Sequence, residues 1–117
     1  MLTIELNQTD DGDCICLAVG DLDASTAWQL RQVLAELASS CVLLINMSGV
    51  SFVDSAGLGA LVGGIRRTRE LGGDVAVVCS RPIINRLLRT TGLDRIVIIA
   101  ETMEEAVAAL EGNATCC

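Results

Sequence analysis

A serine at the junction between a predicted strand and a predicted helix is the residue best placed for chemistry in this sequence. Ser55 follows Asp54 at the end of the strand-like run 50–53, and small residues with Leu58 then begin a helical pattern. The first backbone N–H groups of a helix have no partner within that helix. The Ser55 hydroxyl can therefore cap the helix, or it can carry a phosphate that the same N–H groups hold. The two roles are compatible.

The residue types that are absent limit what Ser55 can do. The chain contains no histidine, which excludes Ser-His-Asp and Cys-His catalysis and zinc sites built on imidazole. The nucleophile-elbow pattern G-x-S-x-G is missing because Val53 stands at its first glycine. A kinase, by contrast, brings its own base and metal to a substrate serine. We therefore expect no catalytic residue, no metal site and no cofactor, and we interpret Ser55 as a substrate of another enzyme.

The six cysteines predict buried side chains more than chemistry. No spacing among them matches a metal site, so a metal or redox role is only the alternative. Four lie in strand-like or apolar runs and are interpreted as small buried hydrophobic residues, namely Cys14, Cys16, Cys41 and Cys79. The other two, Cys116 and Cys117, end the sequence.

Length and charge restrict the class of protein. A chain of 117 residues, 51% of them hydrophobic, is the size of one folded domain. Its net charge of −7 argues against a nucleic-acid partner, which requires a basic surface. No apolar run approaches the ~18 residues of a membrane span, and no secretory signal begins the sequence. The sequence predicts a soluble cytoplasmic protein with no membrane partner.

The elements that position Ser55 follow the order β β α β α β α β α. Such alternation predicts a single α/β domain with a mixed, mostly parallel sheet, an N-terminal antiparallel hairpin and amphipathic helices. The predicted strands cover 2–6, 14–19, 41–47, 75–79 and 96–100, with the strand-like run 50–53 directly before Ser55. The predicted helices cover 25–39, 55–71, 82–91 and 102–110, the first capped by Ser25 and the last begun by the capping-box spacing Thr102 to Glu105. The domain is expected to span 1–112, with 113–117 as a short mobile tail.

Two surface features have two interpretations each. Gly57, Ala60 and Gly64 cluster on one side of the second predicted helix, as expected either for close packing or for a smooth docking surface. Trp28 lies off the centre of the first helix's apolar stripe. We favour a partly buried rim residue for Trp28, and an exposed contact residue is the alternative.

Four segments in order resemble one known family. The segment Asp54-Ser55-Ala56-Gly57-Leu58-Gly59, preceded by Val50-Ser51-Phe52-Val53, resembles the signature of STAS-domain anti-sigma factor antagonists. The segments Gly20-Asp21-Leu22-Asp23, Leu71-Gly72-Gly73 and Thr91-Gly92-Leu93 resemble that family in place and spacing. The resemblance covers about residues 2–110 and implies a STAS-like single domain.

The resemblance also implies a partner switch. In that family the unphosphorylated antagonist binds an anti-sigma factor that is also a serine kinase, and so frees the sigma factor. The kinase then phosphorylates the serine after the aspartate, which is Ser55 here, and a phosphatase reverses this step. Ala56 stands where the family often has Ser or Thr, which leaves the predicted acceptor unchanged. The predicted partner-binding residues are Asp21, Asp23, Asp54, Ser55, Ala56, Gly57, Leu58 and Gly59.

Two other functions stay open at this point. A STAS domain can act as an adaptor in a stress-signalling or lipid-transport complex and bind its partner without phosphorylation. STAS domains also form the tails of anion transporters, but this sequence has no membrane portion. A nucleotide-binding or hydrolysing protein is a poor fit, because the chain has no lysine and therefore no P-loop.

Overall fold

The computed structural model describes residues 1–8, 13–37 and 42–112, and its elements follow the predicted order. The strands are β1 (Leu2–Gln8), β2 (Cys14–Leu22), β3 (Val42–Val53), β4 (Asp74–Val78) and β5 (Ile98–Ala100). The helices are α1 (Ala27–Leu37), α2 (Ser55–Glu70), α3 (Pro82–Thr90) and α4 (Met103–Gly112), with a 3₁₀ turn at Leu93–Arg95.

The five strands form one mixed sheet. Their order is β1-β2-β3-β4-β5, with β1 antiparallel to β2 and the other neighbours parallel. The predicted mostly parallel sheet with an antiparallel N-terminal hairpin is therefore confirmed. The predicted Asp11-Gly12 turn of that hairpin lies outside the described residues.

The handedness of the connections explains the layers. Each parallel connection moves one strand further in the same direction, so right-handed crossovers place α1, α2 and α3 on one face of the sheet. Leu34, Leu61 and Leu88 from these helices are fully buried in that face's core. Helix α4 covers the other face through Ala106 and Leu110. Both faces of the central strands are thus buried, which is why 75–79 reads as a continuous apolar run.

The register brings the ends of β2 and β3 together. Asp21 pairs with Phe52, and Leu22 pairs with Val53. The loop after β2 and the start of α2 therefore leave the sheet at the same edge. Two register shifts precede this edge, between Leu17 and Val19 and between Gly20 and Asp21, as β-bulges often do beside functional sites.

Four predicted boundaries were wrong. Strand β3 continues without a break to Val53, although the prediction ended it at 47. Residues 20–22 belong to β2 and not to a loop, because Leu22 is buried and paired. Strand β5 begins at Ile98, after the 3₁₀ turn that follows Gly92, whose φ is +86°. Helix α1 begins at Ala27, and Ser25 does not cap it, since its hydroxyl donates to Asp23.

The buried cysteines agree with the prediction where they are described. Cys14, Cys16 and Cys79 lie in the core, and burial raises the pKa of the Cys16 thiol to about 11. Burial also raises the pKa of the Cys79 thiol. Within ranges 1–8, 13–37 and 42–112, no group of three His, Cys, Asp or Glu side chains could hold a metal. The predictions for Cys41, Cys116, Cys117 and the tail 113–117 concern residues outside the described ranges.

A membrane-crossing helix is absent from the described part of the chain. None of its helices combines the length with the apolar character that a bilayer span requires.

Candidate functional site

Asp54 joins the start of α2 to the loop after β2. It is the N-cap of α2, and its Oδ1 accepts a hydrogen bond from the Gly57 N–H at 2.9 Å. Its Oδ2 accepts from the Ala24 N–H at 3.0 Å. Its own N–H donates to the Leu22 carbonyl at 3.2 Å. One side chain therefore fixes the first turn of the helix relative to a loop 30 positions earlier in the chain.

Ser55 is the first residue of α2, and the prediction that it caps the helix is wrong. Asp54 takes that role, because its carboxylate reaches the Gly57 N–H. The Ser55 side chain is exposed, and its hydroxyl has no hydrogen bond to any described residue. The N–H groups of Ser55 and Ala56 likewise have no acceptor in the described ranges. As far as the structure describes the chain, the first turn of α2 therefore presents an unbonded hydroxyl beside two unbonded N–H donors.

Asp23 organises the neighbouring loop through its own side chain. Its Oδ1 accepts from the Ser25 N–H at 2.9 Å and from the Ser25 hydroxyl at 2.7 Å. The Ser25 hydroxyl, with further bonds from Ser25 and Thr26, holds the pKa of the Asp23 carboxyl below its usual value. Because this pKa is depressed, the loop's hydrogen bonds persist above it and are lost only as pH falls through it.

Gly57 allows α2 to approach the end of β2. A Cβ at this position would lie 2.7 Å from Leu22 Cγ and closer still to the Leu22 carbonyl oxygen. No larger residue fits without moving the backbone that carries Asp23 and Asp54. Gly57 is buried, so it positions the site and offers no surface to a partner.

The predicted partner-binding residues lie at this edge with different exposure. Ser55 and Gly59 are exposed, and five others are partly buried, namely Asp21, Asp23, Asp54, Ala56 and Leu58. Asp21 Oδ2 lies 3.8 Å from the Met1 amino nitrogen, an exposed pair that adds little stability. Ala56 and Leu58 also pack against the core. Three aspartates and the exposed Ser55 therefore lie where β2 and β3 end together.

Three further residues belong to this edge and were not predicted as part of the site. Ala24 contributes only its N–H, which no side-chain pattern reveals. Phe52 is 50% exposed although it lies in a strand. Trp28 is 54% exposed, and its indole N–H donates to the Ser25 carbonyl at 3.1 Å. Trp28 is thus exposed beside the 23–26 loop, so the favoured prediction of a partly buried rim residue is wrong and its alternative, an exposed residue, is what the structure has.

Comparison with known sequences identifies the family. The sequence profile of the STAS domain matches residues 4–106. The anti-sigma-B factor antagonist of Bacillus subtilis is 30% identical over 107 residues, which cover 91% of this chain and 97% of that protein.

Comparison with solved structures is consistent with the same family. The crystal structure of an anti-sigma factor antagonist from Mycobacterium paratuberculosis has a TM-score of 0.85 and 27% identity, and the match covers 95% of each chain. The Bacillus cell fate determinant SpoIIAA in its phosphorylated form has a TM-score of 0.70 over 92% of this chain and 99% of that one. At 21% identity this likeness shows the fold alone. Since the profile spans nearly the whole described domain, the chain belongs to the STAS domain family.

Proposed function

We propose that this protein is an anti-sigma factor antagonist controlled by phosphorylation of Ser55. The unphosphorylated form binds an anti-sigma factor that is also a serine kinase, which releases the sigma factor. The kinase phosphorylates Ser55, the complex separates, and a phosphatase restores the active form. The protein is thus a substrate and a binding module. The partner contacts the edge that carries Asp21, Asp23 and the start of α2, where the buried Gly57 only positions its neighbours.

The free hydroxyl of Ser55 is the observation that carries this proposal. Ser25 is also exposed and lies in the adjacent loop, but its hydroxyl donates to Asp23 at 2.7 Å. Among the described residues the Ser55 hydroxyl has no such bond, and Asp54 caps the helix in its place. A kinase can therefore phosphorylate Ser55 without breaking a hydrogen bond that the described fold contains. The same freedom argues against Ser55 as a nucleophile of this chain, since no described side chain contacts its hydroxyl as a base.

Electrostatics explains why a phosphate on Ser55 would weaken partner binding and leave the domain folded. Phosphorylation adds about −1.5 to −2 charges at pH 7. The free N–H groups of Ser55 and Ala56 and the α2 dipole favour an anion at this point. The carboxylates of Asp54 and Asp23 lie close by and have the same sign. A docked partner would therefore meet a new dianion beside existing carboxylates.

The relatives support the same function. The matched proteins from Bacillus subtilis and Mycobacterium paratuberculosis are anti-sigma factor antagonists. The phosphorylated form of SpoIIAA has this fold, which is compatible with a modification that leaves the domain folded.

Phosphate transfer by the cognate anti-sigma factor is the direct test. The purified protein is incubated with that kinase and ATP, and the modified residue is located by peptide mass spectrometry. We expect one phosphate on Ser55 and none on Ser55→Ala. Two exposed serines at the same edge provide matched controls, so Ser25→Ala and Ser51→Ala should still accept phosphate.

The other outcomes separate the competing functions. Phosphate on Ser25 or Ser51 in place of Ser55 would contradict the proposed acceptor. Tight binding without phosphate transfer would favour an adaptor that binds its partner unmodified. ATP or GTP hydrolysis by the isolated chain would require an enzymatic function.

A further inference from the structure

An apolar groove lies immediately beside the candidate site. It has a volume of about 560 Å³ and runs between the end of β3 and α3. Phe52 and Val53 form one wall. The other wall is one stripe of α3, whose members recur at i, i+3, i+4 and i+7 and therefore share a face, namely Ile83, Arg86, Leu87 and Thr90.

The side chains of this groove are more exposed than their types predict. Ile83 is 82% exposed and Phe52 is 50% exposed, although both line the same concave surface. The core-facing side of α3 carries Ile84 and Leu88, which are buried, and Ile84 also lines the groove. Leu87 packs partly against the core, so the apolar surface of α3 that no described residue covers is chiefly that of Ile83. Exposed apolar surface of this kind, next to polar residues, marks an interaction site.

The charge in the groove indicates what binds there. Arg86 is the only ionisable residue among the described residues that line it. Two other arginines nearby are already bound, because Arg81 donates to the Ser48 carbonyl and Arg89 donates to Asn85 Oδ1. The Arg86 side chain has no partner among the described residues. A ligand that covers the apolar walls can therefore also bring a carboxylate to an unpaired guanidinium.

The groove is continuous with the phosphorylation site. Its wall residue Val53 directly precedes Asp54, so a segment that lies in the groove extends toward Ser55. A second copy of this chain fits poorly. A two-fold contact through the groove would be self-complementary and would bring two unpaired Arg86 side chains into one interface without an acid in the lining.

We propose that the groove receives an amphipathic segment of the anti-sigma factor, with apolar side chains against Phe52 and Ile83 and a carboxylate on Arg86. This inference rests on the proposed function and adds a second contact to it. The groove supplies affinity, and Ser55 supplies control at one end of the same interface.

Binding of the purified anti-sigma factor to variants of the full chain tests this inference by titration calorimetry. Ile83→Asp should weaken binding at least about tenfold, as expected for a contact residue that fills a pocket. The change is tolerated by the fold, because Ile83 is exposed and an acid in the first turn of α3 is favourable. Val107→Asp is the matched control, since Val107 is 39% exposed on α4 at the opposite face of the sheet.

Two charge-reversal substitutions test the contribution of Arg86 to binding. Arg86→Glu should also weaken binding by about tenfold or more. Arg95→Glu should not, because Arg95 is exposed in the 3₁₀ turn after α3 and lies outside the groove. In the phosphorylation assay, Ile83→Asp should raise KM and leave kcat unchanged, since it removes docking and leaves Ser55 intact.

The outcomes distinguish this inference from the proposed function. If the wild-type protein neither binds the kinase nor accepts phosphate, the proposed function fails and the groove loses its occupant. If wild type is phosphorylated on Ser55 while Ile83→Asp and Arg86→Glu bind within twofold of wild type, the groove inference alone is overturned. It is also overturned if the isolated protein sediments as a dimer that Ile83→Asp converts to a monomer.

Discussion

Helix α2 carries glycines on both of its faces, and the two pairs have different surroundings. Gly57 and Gly64 lie on the inward side, where a Cβ would strike Leu22 or Leu34. Gly59 and Gly63 lie on the outward side, where a Cβ would meet nothing within 4 Å. The inward pair permits close packing, and the outward pair leaves a bare surface one turn and two turns beyond Ser55.

This difference assigns each of the two explanations that the sequence left open, close packing and a docking surface, to a different pair of glycines. Close packing accounts for Gly57 and Gly64 in full. It does not account for Gly59 or Gly63, which each cost about 1 kcal/mol in helix propensity relative to alanine. The inward face holds the free serine in place, and the outward face is the surface that a partner can reach.

Gly57→Ala should have the largest effect of these changes on stability. The new Cβ would clash with the backbone of Leu22, which cannot turn aside as a side chain can. We expect a loss of about 2–3 kcal/mol in the free energy of unfolding, measured by urea denaturation. Unchanged stability would show that the approach of α2 to β2 is not constrained by size.

Asp54→Ala should have the second-largest effect on stability, because it removes both the cap of α2 and the link between α2 and the loop after β2. Losing the Gly57 and Ala24 hydrogen bonds should cost about 2 kcal/mol together. Asp54→Asn separates the two contributions, since its single amide oxygen can cap the helix while its NH₂ cannot accept from Ala24. Equal losses for both variants would show that the cap contributes nothing.

Gly64→Ala should cost less than Gly57→Ala. Its Cβ would meet the side chain of Leu34, with Leu34 Cβ at 2.8 Å, and α1 can shift slightly to accommodate it. The gain in helix propensity offsets part of the clash, so we expect a net loss of about 1 kcal/mol. A loss as large as that of Gly57→Ala would place the tightest contact of α2 at α1 and not at β2.

Gly59→Ala should stabilise the protein by about 0.5–1 kcal/mol, because the site is open and alanine favours the helix. The same change should weaken binding to the anti-sigma factor, since it adds a methyl group next to Ser55. Gly63→Ala is the control one turn further away, with a similar gain in stability and a smaller effect on binding. Equal binding by wild type and Gly59→Ala would remove the docking interpretation of the outward face.

Ser55→Ala should have the smallest effect on stability, within about 0.5 kcal/mol of wild type. The hydroxyl has no hydrogen bond among the described residues, and Asp54 provides the cap. Thermal denaturation followed by circular dichroism measures the change. A loss near 1 kcal/mol would mean that Ser55 contributes to capping after all.

The fold was predictable because its local signals agree with one another. Pro82 begins α3 and Gly92 follows its end, while the buried run 75–79 marks a parallel strand covered on both faces. The end of β2 was less predictable. Asp21 reads as a loop residue, and only its pairing with Phe52 makes it part of a strand.

The details of the site depend on contacts between distant segments. Asp54 and Ser55 are both good caps by residue type, so the sequence cannot choose between them. The carboxylate of Asp54 also reaches Ala24, a contact that only the folded chain creates. Register shifts near the end of β2 likewise disrupt the alternation that would have shown Phe52 facing outward.

The affinity of the anti-sigma factor for the two forms of this protein tests the account most directly. Binding is measured for the unphosphorylated protein and for protein phosphorylated on Ser55, and amide chemical shifts are recorded for both. We predict at least about tenfold weaker binding after phosphorylation, because docking would have to desolvate a new dianion, and a melting temperature within about 3 °C of the unmodified form. Shift changes should be confined to the first turn of α2, the 23–26 loop and the end of β3. Equal affinity for the two forms, or shift changes that extend through α4 and β5, would contradict the account.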